Sequence, residues 1–275
     1  MRICVIAGAG ALPKKLIDIL DSKSLFNCLV LIASQNDGHL YKNHPNKIEL
    51  ELGKVGAALD FCKTHDITHI VFAGAVKRPN LLNIIPDFKG TALLAKILSN
   101  KLLGDDSLLK IIVEFVKSNG FDVLSPSDII AMDLSTNSSW NNIPQTKISA
   151  NEADVSNIEI GARALKIMSA LDIGQALIIE AGQIIAVEGI EGTDELIKRS
   201  KHYIKNYGIL VKIPKINQAR SVDMPVIGPN TIDVMAKNNI KGLAIDREVI
   251  ILEQEDLIRK ADKFGIFLYL INLNN

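Results

Sequence analysis

The chain has 275 residues, enough for one large domain or two ordinary ones with a sizeable core. Hydrophobic residues make up 48% and aromatics only 5%, so the core is built from Ile, Leu, Val and Ala, which favours an α/β architecture over a β-sandwich. A formal net charge of +0 excludes the global positive field that nonspecific nucleic-acid binding uses, and no nucleic-acid partner is expected.

Strand and helix signals alternate through the first half. Ile3 to Ala7 is an apolar strand, Pro13 opens a helix through Leu20, and Cys28 to Ala33 is a second strand. Gly53 to His65 is an amphipathic helix that leads into strand Thr68 to Ala73. This βαβαβ order predicts a parallel, right-handed, Rossmann-like sheet. Helices follow from about Thr91 to Leu103 and Ser107 to Ser118, then a short strand Phe121 to Leu124, and Pro126 closes the unit. Cys4, Cys28 and Cys62 form no CxxC pair and read as core thiols of a reducing compartment, with structural zinc unsupported. No secretory segment or apolar run of about 20 residues is present, so a cytoplasmic protein is expected.

Between Met132 and Glu152 the composition turns to Ser, Thr, Asn and Gln, with Trp140 as an anchor. This places a linker at about 132–152, between a Rossmann-like domain (1–132) and a second α/β domain (133–275). The second half opens with a helix from Asp154 to Leu171, then a hairpin of Ala176 to Glu180 and Ile184 to Val187 around a turn at Ala181-Gly182-Gln183. Thr193 caps a helix, and a strand from Gly208 to Ile213 leads into a polar loop, Pro214 to Ser221. Thr231 caps another helix. Strands at Gly242 to Ile245 and Val249 to Leu252, a helix from Glu255 to Phe264 and a strand from Ile266 to Ile271 complete the chain.

Several loops carry chemistry. Gly8-Ala-Gly10-Ala-Leu12-Pro13 follows the first strand and opens a helix whose free N–H groups suit a phosphate or ribose. It lacks the third glycine of a dinucleotide fingerprint, and the second strand ends in Ala33-Ser-Gln35 without the ribose-binding acid; a purely conformational turn is the other reading. Gly74-Ala-Val-Lys77-Arg78-Pro79 falls on the same sheet edge and offers two cations to a diphosphate, or is a solvated basic turn. In Gly104-Asp105-Asp106-Ser107, Asp106 or Ser107 is a candidate N-cap, which leaves the other acid without a task. Glu188, Glu191 and Asp194, freed by Gly189 and Gly192, lie in or beside the loop after the hairpin; they suit a metal, although acids in a first helical turn also complement the helix dipole. Lys215, Gln218, Arg220 and Asp223 form a polar loop able to orient phosphate and hold Mg²⁺, ahead of a rigid Met-Pro-Val-Ile-Gly-Pro turn. The five histidines form no metal pattern, and no nucleophile elbow or Walker A loop appears.

Taken together, Ile6-Ala-Gly8-Ala-Gly10-Ala-Leu-Pro13, Gly74-Ala-Val-Lys77-Arg-Pro79, Gly104-Asp-Asp106-Ser-Leu-Leu, Asp172-Ile-Gly-Gln175, Ala186-Val-Glu188-Gly-Ile-Glu191-Gly-Thr-Asp194 and Asp223-Met-Pro-Val-Ile-Gly228 resemble the LpxI family, in that family's order and over nearly the whole chain. The resemblance implies a site between two α/β domains, a homodimer, and contact with the inner membrane through a lipid-linked UDP-sugar. It implies Mg²⁺-dependent hydrolysis of UDP-2,3-diacylglucosamine, water attacking the α-phosphorus to give UMP and 2,3-diacylglucosamine 1-phosphate (lipid X). On this reading Gly8, Gly10, Leu12, Pro13, Lys77, Arg78, Gly104, Asp105, Asp106, Gly192 and Thr193 bind substrate. Asp223, Arg220, Gln218 and Lys215 act in catalysis, and Asp223, Glu188, Glu191 and Asp194 hold the metal. The chain departs from the family at Ala219, where an acid is expected. Two alternatives follow: a catalytically impaired lipid-nucleotide-binding homologue, or an NAD(P)-dependent oxidoreductase suggested by the N-terminal βαβ unit.

Overall fold

The computed structural model describes residues 1–77, 79–100, 105–133, 146–171, 173–215 and 224–271, with the backbone alone for Leu82, Asp105 and Asp106. Trp140, Arg78, Gly104, Asp172 and residues 216–223, which include Gln218, Ala219, Arg220 and Asp223, lie outside the described residues. The described chain forms two compact units.

In the first unit the order is β1 (Ile3–Ala7), α1 (Ala11–Ser22), β2 (Phe26–Ile32), β3 (Lys47–Leu50), α2 (Val55–Thr64), β4 (His69–Ala73), α3 (Phe88–Ser99), α4 (Asp105–Ser118), β5 (Asp122–Leu124) and α5 (Pro126–Ala131). The strands make one parallel sheet in the order β3-β2-β1-β4-β5, the Rossmann-like arrangement expected from the sequence. Because successive strand side chains alternate, Cys4, Cys28, Val30 and Ile70 join one face with Leu59 and Cys62 of α2, Leu93 and Ile97 of α3, and Phe115 and Val116 of α4. α1 and α5 pack together against β1 and β4. Asp87 caps α3 by accepting the Gly90 N–H at 2.7 Å, and also accepts the Ala57 N–H of α2 at 3.1 Å.

The second unit runs α6 (Glu152–Ser169), β6 (Ala176–Glu180), β7 (Gln183–Val187), α7 (Thr193–Ser200), β8 (Gly208–Lys212), β9 (Val226–Ile227), α8 (Pro229–Lys237), β10 (Ile240–Asp246), β11 (Ile250–Ile251), α9 (Gln254–Phe264) and β12 (Phe267–Ile271). Its main sheet is mixed, β12-β10-β8-β6-β7, with β12, β10 and β8 parallel and β6 antiparallel to both neighbours. Both faces are covered. Ala176 and Ile178 face a cluster with α7, α8 and α9, whereas Leu177 and Ile179 face α6 through Ile158, Ala162 and Leu165. Glu180, at the end of β6 and buried, accepts backbone N–H groups from Lys205, Asn206 and Tyr207. No helix of the described residues is long and apolar enough to cross a membrane.

Several local expectations are corrected. Pro126 does not close a unit; it is the first residue of α5, behind a capping box of Ser125 and Asp128. α4 begins at Asp105, so Asp106 and Ser107 are helical residues and not its N-cap. Gly192 precedes α7 in the cap position with φ 81°, and the Thr193 hydroxyl is used elsewhere. α8 is entered from Gly228 with Pro229 at its first position, so Thr231 lies within the helix. β3 and β9 are too short, and β3 too mixed in polarity, to give a periodic signal.

Candidate functional site

In the first unit the loops after β1 and β4 are joined. Gly8 N–H donates to the Ala73 carbonyl at 2.8 Å, and Ala9 and Ala75 exchange N–H···O bonds at 2.9 and 2.8 Å, an isolated antiparallel bridge across the carboxyl ends of two parallel strands. The approach demands glycine: a Cβ on Gly8 would stand 2.4 Å from the Ala75 carbonyl oxygen, and one on Gly74, at φ 88°, 2.6 Å from the Ala9 oxygen. Gly10 is the N-cap of α1, and Leu12 and Pro13 are buried in its first turn. The first N–H groups of a helix have no intrahelical partner, and Gly10 and Ala11 at this end of α1 are exposed. The structure thus brings Gly8, Gly10, Leu12, Pro13 and Lys77 to one sheet edge. Arg78 and Gly104 lie outside the described residues, and of Asp105 and Asp106 only the backbone, at the start of α4, is described.

Gln35, which the sequence marks as the end of the second strand, and Asp37, to which it gives no role, complete this edge. The Asp37 carboxylate accepts the Gly10 N–H at 2.7 Å, and the Gln35 side-chain oxygen accepts the Lys77 N–H at 2.5 Å. Both follow β2 and so share the carboxyl edge of the sheet with the two loops. Their position after the second strand was the available signal. An acid does lie there, two residues beyond Gln35, and it holds protein backbone.

In the second unit, a buried relay links three elements. Lys212 ends β8 and Glu188 follows β7; they are 4% and 5% exposed. Lys212 Nζ donates to Thr193 Oγ1 at 2.8 Å and lies 3.4 Å from the Val226 carbonyl oxygen. Thr193 Oγ1 donates to Glu188 Oε1 at 2.7 Å, and Glu188 Oε2 accepts the Gln175 N–H at 3.1 Å. Cation and carboxylate are bridged through one hydroxyl, whose proton is committed to Glu188. Burial of two charges is tolerated because each has hydrogen-bond partners. Lys212 was missed from sequence because it lies inside an apolar strand; a lone Lys in such a run was the signal.

The acids expected to hold Mg²⁺ take separate partners. Glu191 is closed by Arg199, whose Nε and Nη2 donate to its Oε1 at 3.0 and 2.7 Å; Nη2 also donates to the Val187 carbonyl. Its own backbone N–H, then the Arg199 guanidinium, hold the Glu191 carboxyl below the usual carboxylate range. Asp194 is exposed in the first turn of α7. Among the described residues, Glu188, Glu191 and Asp194 do not make a common metal-binding group, and Asp223 is not among those residues. Lys215 is half-buried just beyond β8 and is the one member of its proposed catalytic set that is described.

Comparison with known proteins covers both units. The LpxI N-terminal domain model matches residues 2–132 and the LpxI C-terminal domain model residues 142–269. A curated relative, the UDP-2,3-diacylglucosamine pyrophosphatase LpxI of Caulobacter vibrioides, is 26% identical over 277 residues, spanning 97% of this chain and 96% of that protein. These matches correct the function expected from the sequence. Mg²⁺-dependent hydrolysis at the α-phosphorus to UMP and lipid X, with an impaired binding homologue or an NAD(P)-dependent oxidoreductase as alternatives, does not stand in that form. The relative's name gives a pyrophosphatase, and the matches bring in neither magnesium nor a nicotinamide cofactor. With two domain models of one family matched in order along nearly its whole length, the chain belongs to the LpxI family.

Proposed function

We propose that this protein is a UDP-2,3-diacylglucosamine pyrophosphatase that breaks the diphosphate linkage of a lipid-carrying nucleotide sugar. The observation that carries this reading is the relative of that name aligned over 97% of the chain, across both units. The chemistry of the described residues agrees with it. The N-terminus of α1 and the loop pair around Gly8, Gly10 and Lys77 suit phosphate oxygens. In the second unit Lys215 supplies a cation, and the Lys212–Thr193–Glu188 relay fixes the loop that carries Gly192.

The proposal includes a homodimer, a cytoplasmic location and peripheral contact with the inner membrane. Exposed Phe88, at 91%, and Ile85 in the first unit support the last. The test is direct. Purified protein incubated with UDP-2,3-diacylglucosamine, with Mg²⁺ and separately with EDTA, is followed by phosphorus NMR. Loss of the diphosphate signals is expected in at least one arm. An unchanged diphosphate in both arms overturns the reading. Light scattering reports the dimer, and sedimentation with phospholipid vesicles reports the membrane contact.

A further inference from the structure

Three thiols far apart in sequence meet in the core of the first unit. Cys4 in β1 and Cys28 in β2 are register partners on neighbouring parallel strands, and Cys62 of α2 packs into the same cluster. Their sulfurs all lie within 4.8 Å of one another, and all three residues are 0% exposed. A core can use a cysteine as a small hydrophobe, but that role does not ask three sulfurs to share one point.

A disulfide fits poorly between the two strands. Parallel neighbours about 4.7–4.9 Å apart keep their Cβ atoms near that spacing, above the roughly 3.5–4.5 Å usual across a disulfide. A single three-coordinate centre about 2.3 Å from each sulfur sets the sulfurs about 4 Å apart if planar and about 3.4 Å if pyramidal, both inside the observed envelope. No fourth His, Cys, Asp or Glu joins the group among the described residues, which disfavours tetrahedral zinc. Charge then selects the centre. The side chains packed around the sulfurs are Leu59, Ile70, Ile97 and Phe115, with Arg2 and His65 near enough to act on Cys28 and Cys62. Three thiolates around monovalent copper leave a doubly negative complex there, around a divalent ion a singly negative one, and around a trivalent centre a neutral one. Unpaired charge in such a core is strongly disfavoured.

We propose that Cys4, Cys28 and Cys62 form a three-sulfur site for trivalent arsenic, and by the same chemistry trivalent antimony, tying β1, β2 and α2 together. Uncharged arsenous acid, As(OH)₃, condenses with three thiols: three As–S bonds replace three As–O bonds, the three thiol protons leave with the three hydroxyls as water, and no oxidation state changes.

The test uses the reduced full chain with arsenite, read by native mass spectrometry and X-ray absorption. One arsenic per chain, a mass gain lacking three protons, an all-sulfur shell and a raised thermal midpoint are expected. Cys62→Ala weakens binding by about 100-fold, as expected when one arm of a chelate is lost. No adduct in excess arsenite, or equal binding by the Cys4→Ala/Cys28→Ala/Cys62→Ala variant, overturns the site. Should that variant not fold, oxygen in the arsenic shell of the natural chain overturns it equally. A chain that takes up Cu(I) and refuses arsenite overturns the charge selection, and the assignment with it.

Discussion

The two units present polar chemistry in opposite ways. At the edge of the first, the loop pair is built from backbone: an Ala9–Ala75 bridge, two glycines where no Cβ fits, and N–H groups held by Asp37 and Gln35 near the surface. In the second, the polar groups are charged side chains under cover, Lys212 and Glu188 joined through Thr193. For backbone presented at an edge the largest cost comes from added bulk and the smaller one from a change of charge. A buried relay is the reverse. The contrast predicts which substitutions each region tolerates.

The largest effect is expected at the relay. Lys212→Met fits the strand but leaves Glu188 as a buried acid without its cation, and stability falls by about 3 kcal/mol in urea denaturation. Combined with Glu188→Gln the loss is smaller than the sum of the two single changes; strict additivity would show that the residues do not communicate. Next is Gly74→Ala, which meets both the positive φ and the Ala9 oxygen and costs about 2 kcal/mol. It also weakens UDP binding in calorimetry, whereas Lys212→Met leaves the first unit's own stability unchanged if the units respond separately.

Asp87 is a middle case, a half-buried carboxylate whose work is backbone. Asp87→Ala removes the α3 cap and costs about 1 kcal/mol at neutral pH. Burial pushes its pKa up, but hydrogen bonds from the Gly90, Gly56 and Ala57 N–H groups outweigh this and hold it below the usual carboxylate value. A depressed folded-state pKa gives stability that is present above the unfolded value of about 3.9 and lost as pH falls through the folded one. The difference between natural chain and variant is therefore flat near neutrality and closes below about pH 4. A gap that persists at lower pH would mean that the ionised form is not what caps the helix. The smallest effect, about 0.5 kcal/mol, is expected for Asp37→Ala. That change removes a negative charge beside a proposed phosphate position, so UDP affinity rises a few-fold.

Local pattern carried much of the architecture. Apolar runs such as Ile3 to Ala7 and Ala176 to Glu180 announced strands of doubly covered sheets, and the order of elements announced the α/β class and the parallel first sheet. Where a boundary depended on a cap, sequence misled: Thr193 and Thr231 have cap chemistry, yet glycines precede both helices in the cap positions, and the Thr193 hydroxyl serves Glu188. The same limit applies to sites. Gly8 and Gly74 were legible because each sits at a strand end. Lys212, Asp37 and the cysteine trio were not, because their meaning arises only when strands distant in sequence become neighbours.

Burial of β6 on both faces has a consequence for how the second unit finds its alignment. A strand with one wet face is guided by hydrophobicity, since sliding by one residue would turn apolar groups outward. Ala176 to Ile179 offers no such guide, because every position is apolar and either face would accept it. The alignment comes from the tight turn into β7 and from polar detail that Glu180 supplies: its carboxylate gathers three consecutive N–H groups at residues 205–207 just before β8.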